Sequence, residues 1–132
     1  MNLQVGVKAL IKNSLNQYLF LKRSTPLSSD PETSWDIPGG RINPEEALLD
    51  ALTREIQEEI DHRLTSTPKL IASQDIFVEA QDLHVVRLTY LLNEDIAEVH
   101  LSDEHTEYQW VEAKDLSSIP TEPYITEVLR SL

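Results

Sequence analysis

The segment from Asp36 to His62 constrains the fold of this chain more than any other stretch. It opens on two adjacent glycines, Gly39 and Gly40, which accept backbone angles that other residues resist. A helix-start pattern follows at Asn43-Pro44-Glu45-Glu46, and no helix-breaking residue occurs from there to about Ile60. The segment therefore predicts a tight loop that leads directly into a helix.

The predicted helix start has the residues of a capping box. Asn43 is the expected N-cap and Pro44 the expected first helical residue. Glu46 then occupies the third helical position, from which its carboxylate can reach back to the N-cap amide. We therefore expect the helix to begin at Pro44.

The predicted helix carries an apolar face with an acidic rim. At about 100° per residue its apolar side chains fall on one arc, which should pack against a core: Leu48, Leu49, Leu52, Ile56 and Ile60. Glu55, Glu58 and Glu59 cluster beside that arc, where carboxylates at i, i+3 and i+4 repel one another and oppose the helix dipole. A solvated acidic face is one interpretation. A bound hard cation would relieve the repulsion, and Mg²⁺ is the natural candidate for carboxylate ligands.

These residues resemble the Nudix box, the signature of the Nudix hydrolases. Gly40, five residues, Glu46, seven residues and then Arg54-Glu55-Ile56-Gln57-Glu58-Glu59 follow its spacing, and the Trp35-to-Gly40 lead-in is similar to what commonly precedes it. Fixed positions at such long spacing make a chance match a poor explanation. Asp61 and His62 depart from the pattern, which usually has Gly and then an aliphatic residue. Asp tolerates the left-handed conformation that closes a helix, so the turn should survive.

The resemblance implies a fold and a reaction. The fold is α/β, a Nudix α/β/α sandwich with a mixed β-sheet, formed by residues 1–132 as a single domain. The reaction is Mg²⁺-dependent hydrolysis of a nucleoside diphosphate-linked substrate by water attack on phosphorus, with Mn²⁺ as an alternative ion. A nucleoside triphosphate pyrophosphohydrolase is the preferred subclass. The partner would be a small nucleotide or nucleoside diphosphate derivative, and a homodimer stays open.

The resemblance also assigns roles to named residues. Glu55, Glu58 and Glu59, with the Gly39 carbonyl, are the implied metal ligands, and Arg54 would hold one carboxylate in place. Glu58 or Glu59 is the expected general base, with Glu104 in reserve. Glu104 and His105 precede a predicted strand in a segment that can supply a further acidic or histidine residue in relatives, and a polar surface loop is the alternative for both.

A different class of function is the main alternative to hydrolysis. It is a non-catalytic Nudix-fold module that binds a nucleotide or regulates a partner. Such a module would typically have lost at least one acid of the box, whereas Glu55, Glu58 and Glu59 are all present. Hydrolysis is therefore favoured.

Charge and composition exclude several classes of partner. The net charge is −12, and the 11 Lys and Arg are scattered along the sequence, which disfavours a polymeric nucleic acid. No apolar run of about 18 residues predicts a membrane span, and the N-terminus lacks the pattern of a signal peptide. The absence of cysteine excludes disulfides and thiolate metal sites and is consistent with a cytoplasmic protein.

Hydrophobic patterns predict the remaining elements. Val5 to Ile11 alternates as a half-buried strand and forms a hairpin with Tyr18 to Leu21. His84 to Leu92 is nearly all apolar, which is typical of a central strand covered on both faces. Further elements are strands at Lys69–Ile71, Gln74–Val78 and Tyr108–Val111, a solvated acidic connection at Glu94–Glu98, and a final helix over Glu122–Arg130 capped by Thr121. Ser24–Ser34 is expected to be a functional loop, with Trp35 as its packing anchor.

Overall fold

The computed structural model describes residues 1–25 and 35–132. Most of the predicted Ser24–Ser34 loop therefore lies outside the described residues. Within them, the chain forms a mixed sheet and two helices: β1 (Asn2–Lys12), β2 (Gln17–Arg23), β3 (Trp35–Asp36), β4 (Gly39–Arg41), α1 (Leu48–Ile60), β5 (Lys69–Val78), β6 (Leu83–Asn93), β7 (His105–Glu112) and α2 (Pro123–Arg130). Short 3₁₀ turns occupy Glu79–Gln81 and Ala113–Ser118.

Strand β1 lies at the centre of the sheet. It pairs in parallel with β6 along its whole length, from Asn2 opposite Leu83 to Lys12 opposite Asn93. Its other edge is shared, because its middle pairs with β4 and its end pairs with β2 in the predicted hairpin. Strand β2 also pairs with β3 and β7, and β5 flanks β6. The two glycines of β4 are thereby held against the middle of the sheet.

Each face of the sheet is covered by one helix. One core contains the β1 side chains Val7, Ala9 and Ile11 together with the buried face of α1, which is Ala51, Leu52, Ile56 and Ile60. The other core contains Leu10 of β1, Phe20 of β2 and Ile125 of α2. Successive residues of a strand point to opposite faces, so β1 contributes to both cores. The predicted α/β/α sandwich with a mixed sheet is confirmed.

The prediction that β1 is half-buried is wrong. All residues from Val7 to Ile11 are buried, including Lys8 and Leu10, which were expected on the solvent side. The alternation of polar and apolar residues was misleading because a central strand of a sandwich has no solvent face.

The predicted start of α1 is also wrong. The helix begins at Leu48, and its N-cap, Ala47, makes no side-chain capping bond. Glu45 has a φ of +68°, which is incompatible with a helix, and residues 43–46 form a turn instead. The Glu46 carboxylate still accepts a hydrogen bond of 2.9 Å from the Asn43 amide, so the expected contact closes a turn that precedes the helix.

One end of α1 departs from expectation and the other agrees with it. Leu49, placed on the apolar arc, is 44% exposed, because it lies in the first turn beyond the edge of the core. Asp61 adopts the predicted left-handed conformation, with φ 53° and ψ 45°, and its amide donates to the Gln57 carbonyl. Replacement of the usual glycine therefore leaves the helix end intact.

Three further expectations are corrected. Lys69–Val78 is one strand with an irregularity near Leu70 rather than two pieces. Glu122, not Thr121, caps α2, since its carboxylate accepts from the amides of Tyr124 and Ile125. Glu94, expected in a solvated connection, is buried and accepts hydrogen bonds from His62 and from the amides of Thr65 and Ser66.

Candidate active site

A cleft of about 480 Å³ lies between β1, β4, the C-terminal half of α1 and the segment that precedes β7. Five of the chain's 11 Lys and Arg line it, namely Lys8, Arg23, Arg41, Arg54 and Arg87. The basic residues that are scattered in sequence therefore converge in the fold. Five basic and three acidic side chains line the cleft, so its lining is more positive than the whole protein, whose net charge is −12, and favours anions.

The same cleft is lined by most of the predicted site residues. Gly39, Arg54, Glu55, Glu59 and Glu104 are all at its wall. Glu58 is not among the lining residues, and its side chain is 58% exposed. Two carboxylates of the helix therefore face the cleft, while the third lies outside it.

Glu59 is fixed by the first glycine of β4. The residue is 4% exposed, and its Oε2 accepts a hydrogen bond of 3.0 Å from the Gly39 amide. Burial raises the pKa of Glu59 to about 8, although the positive charge of Lys8 and the bond from Gly39 act in the opposite direction. Gly39 has a φ of +143°, and a Cβ there would lie 2.1 Å from the Val7 carbonyl oxygen. Only glycine fits between β1 and the glutamate.

Glu55 is fixed by the second glycine and by Arg54. Its carboxylate covers the Gly40 backbone so closely that a Cβ on Gly40 would lie 2.6 Å from it. Arg54 Nη1 donates to Glu55 Oε1 at 3.0 Å. Burial raises the pKa of Glu55, Arg54 opposes that shift, and the neighbouring Glu58 and Glu104 add to it. The two glycines thus each place one glutamate.

Arg54 connects the turn, the strand and the helix. Its guanidinium forms a two-pronged ion pair with Glu46, at 2.8 and 2.9 Å, and also donates to the Arg41 carbonyl at 3.1 Å. The hydrogen bond from Arg54 lowers the pKa of Glu46 to about 2. Glu58 approaches the same guanidinium at 3.4 Å. Arg54 therefore has the geometry of a residue that positions carboxylates.

The two residues expected near β7 are separated by the fold. Glu104 is exposed at the cleft wall, opposite α1. His105 is 7% exposed and is not a lining residue. Burial lowers the pKa of His105, and Asp36 acts in the opposite direction. Glu104 is the one of the pair that faces the cleft.

Sequence reasoning missed the second half of the cleft. Lys8 and Asp36 form an ion pair in its wall, Arg23 approaches Asp36 at 3.3 Å, and Arg87 is held by Glu122 at 2.7 Å. Burial alone would raise the pKa of Asp36, but Lys8 more than offsets it, so the pKa is lowered. The available signal was a lysine and an arginine inside two otherwise apolar strands.

Comparison with known proteins identifies this arrangement. The family model of the NUDIX domain matches residues 2–132. The chain belongs to the Nudix family. It is a Nudix hydrolase, and Arg54, Glu55 and Glu59 of its Nudix box line the cleft.

Named Nudix proteins are similar to this chain in sequence and in structure. The nucleoside triphosphatase NudI of Escherichia coli K12 is 30% identical over 115 residues, which cover 81% of this chain and 80% of NudI. The crystal structure of a MutT protein from Methanosarcina mazei has a TM-score of 0.82 at 27% identity, covering 98% of this chain and 91% of that one. A MutT NUDIX hydrolase from Burkholderia pseudomallei has a TM-score of 0.83 at 27% identity, covering 100% and 99%.

Nudix hydrolases generally need divalent metal ions, and the donors in this cleft suit one. The carboxylates of Glu55 and Glu59 form an oxygen-only set, which hard divalent cations prefer. Glu59 is buried and Glu55 partly buried, and both have raised pKa values, so an adjacent cation would favour their ionised forms. Among residues 1–25 and 35–132, no three acidic or histidine side chains already converge on one point. Backbone oxygen, water or substrate would complete the shell.

The described part of the chain contains no helix that is long and apolar enough to cross a membrane.

Proposed function

We propose that this protein is a Mg²⁺-dependent pyrophosphohydrolase that acts on a small nucleoside triphosphate or a related nucleoside diphosphate derivative. The observation that carries the proposal is the composition of the cleft. Five cationic side chains line it beside Glu55 and Glu59, although the whole chain has a net charge of −12. A polyanionic substrate that binds together with divalent cations matches that mixture of charges.

The substrate class also has support from the relatives. NudI, 30% identical over most of both chains, is named a nucleoside triphosphatase. Arg23, Arg41 and Arg87 line the cleft, and a guanidinium matches phosphate geometry. Arg23 also pairs with Asp36 and Arg87 with Glu122, so Arg41 is the arginine we expect to bind phosphate most directly. We therefore prefer a nucleoside triphosphate to a nucleotide sugar.

The residues of the Nudix box would have different roles in catalysis. Glu55 and Glu59 would hold the cation, with the Gly39 carbonyl as a further ligand, and Arg54 would keep Glu55 in place. A bound cation would stabilise charge on the phosphate oxygens and lower the pKa of a water. The water attacks phosphorus, one phosphoanhydride bond breaks, and the water gives up a proton.

We assign that proton to Glu104. A general base must come within hydrogen-bonding reach of its water, directly or through one more water. Glu104 lines the cleft, whereas Glu58 is turned toward Arg54 outside it. Glu58 remains the second candidate, because it lies on the same helix as the two proposed ligands.

The direct test is a release assay for phosphate and pyrophosphate. The panel contains nucleoside triphosphates, nucleotide sugars, dinucleoside polyphosphates and ADP-ribose, each with Mg²⁺, with Mn²⁺ and with EDTA. We expect nucleoside triphosphates to be cleaved with Mg²⁺ and not with EDTA. Turnover that persists in EDTA would overturn the metal assignment. Nucleotide binding by folded protein without turnover on the whole panel would instead identify the binding module.

A further inference from the structure

A buried ion pair supports the active-site loop from outside the Nudix box. Lys8 is 8% exposed and Asp36 is 2% exposed. The Lys8 Nζ lies 3.1 Å from each carboxylate oxygen of Asp36 and 3.2 Å from the Ile37 carbonyl oxygen. An ammonium group has three N–H donors, and three acceptors surround this one. The buried charge is thus fully paired.

The backbone at Lys8 fixes the rest of the same loop. Lys8 pairs with Gly39 across β1 and β4, and the Ala9 amide donates to the Pro38 carbonyl at 2.8 Å. A Cβ on Gly39 would lie 2.7 Å from the Lys8 Cα, so β1 and β4 are packed too closely to admit a side chain between them. Residues 36–39 are therefore held at each position by Lys8 or by its neighbour.

The loop of residues 36–39 ends at Gly39, whose amide binds the Glu59 carboxylate. The Gly39 amide donates to Glu59 Oε2 at 3.0 Å. A continuous series of contacts consequently runs from the Lys8 ammonium through Asp36 and Ile37 to Gly39 and then to the Glu59 carboxylate. A shift of the loop would move the amide and the carboxylate together.

A purely structural role would not require charges here. Apolar residues of similar volume often hold a buried site as well as an ion pair does, or better. An ion pair, however, defines direction and distance, and residues that orient metal ligands typically change metal affinity 10- to 100-fold when they are replaced. Because this pair lies beside a proposed metal ligand, orientation of that ligand is the better explanation for the charges.

We propose that Lys8, acting through Asp36, is a positioning residue for the Gly39–Glu59 side of the cation site. The inference rests on the proposed function insofar as that site binds a divalent cation. It extends the active site to a residue of β1 that lies 28 positions before Asp36.

The test measures Mn²⁺ binding to the protein without substrate, by the electron paramagnetic resonance signal of free Mn²⁺. Lys8→Met removes the ammonium but keeps a side chain of similar length. If Lys8 acted only by its charge, removing a cation near the site would strengthen Mn²⁺ binding. A positioning role has the opposite sign, and we expect binding to weaken about tenfold or more.

A double variant separates position from charge. Lys8→Met with Asp36→Leu removes one positive and one negative charge, so the local net charge is unchanged, and no buried anion is left unpaired. We expect it to fold and still to bind Mn²⁺ about tenfold more weakly than the wild type. If Lys8→Met alone fails to fold, this variant carries the test.

Lys22→Met is the matched control. It removes one positive charge from a partly exposed position on β2, where Lys22 pairs with Glu107 at 3.3 Å, and it should leave Mn²⁺ binding unchanged. If the double variant binds Mn²⁺ with wild-type affinity, even at a lower melting temperature, then Lys8 only stabilises the fold and the inference is overturned. Absence of Mn²⁺ binding by the wild type would instead overturn the metal site of the proposed function.

Discussion

Gly40 and Glu55 occupy adjoining space with no room for a methyl group between them. A Cβ built on Gly40 would lie 2.6 Å from the carboxylate carbon and from one carboxylate oxygen of Glu55. The second glycine of the box is therefore required by a side chain 15 residues later, and its role is to let that side chain cover the backbone.

Gly40→Ala should reduce turnover more than stability. The new methyl group meets the flexible end of Glu55, which can rotate away at a cost of about 1 kcal/mol or less, but the carboxylate then leaves the cleft. We expect turnover to fall about 100-fold, as for other small misplacements of active-site groups. Turnover and melting temperature measured on the same sample check this, and full activity would contradict it. Gly39→Ala, whose methyl group would meet backbone, should lower both quantities.

Arg54→Lys should disconnect Glu46 from Glu55. A lysine retains the charge but cannot reproduce a planar group that donates to Glu46, Glu55 and the Arg41 carbonyl at once. We expect turnover to fall about tenfold or more, with weaker Mn²⁺ binding in the same resonance assay. Arg63→Lys, at an exposed position, is the control and should behave as the wild type. Equal values for the two variants would exclude a positioning role for Arg54.

Glu104→Gln should remove the proposed base without removing the metal. Loss of a general base typically costs about 100-fold or more in rate, and the residual rate should rise with hydroxide concentration. Mn²⁺ binding should be unchanged, because Glu104 is not a proposed ligand. Glu107→Gln, whose side chain is 60% exposed, is the control. If Glu58→Gln loses the rate and Glu104→Gln keeps it, the base is Glu58.

Glu94→Gln should make stability less dependent on acid pH. Burial alone would raise the pKa of Glu94, but hydrogen bonds from Ser66, His62 and Thr65 more than offset it and lower the pKa to about 2. A carboxylate whose pKa is lowered on folding stabilises the protein above its unfolded pKa, near 4.5. That contribution is lost as the pH falls toward 2.

Chemical denaturation at several pH values tests this prediction. At pH 7 the variant should be less stable by about 2 kcal/mol, the usual worth of hydrogen bonds to a charged group. The difference from the wild type should shrink between pH 4.5 and 2. Glu98→Gln, whose side chain is 77% exposed, should show no such trend. A constant difference at every pH would contradict the assignment.

The parts of the site that could be predicted from sequence are those determined locally. The helical conformation of α1 and the left-handed conformation of Asp61 depend on neighbours within one or two turns. The structure contains both the helix and the turn that ends it. Lys8 and Glu94 were assigned to solvent because polar residues are usually exposed. Their partners are 28 or more residues away, so only the sheet topology shows that they are buried. The convergence of five basic side chains depends on the same long-range pairing.

The parallel pairing of β1 with β6 also has a consequence for how the protein is made. Residues 2–12 must find residues 83–93, and contacts between such distant segments form slowly in folding. The ribosome completes the Nudix box before β6, yet one wall of the cleft, with Val85 and Arg87, belongs to that strand. A nascent chain that ends before β6 contains the proposed ligands without the enclosed site, so catalytic competence should be acquired late in synthesis.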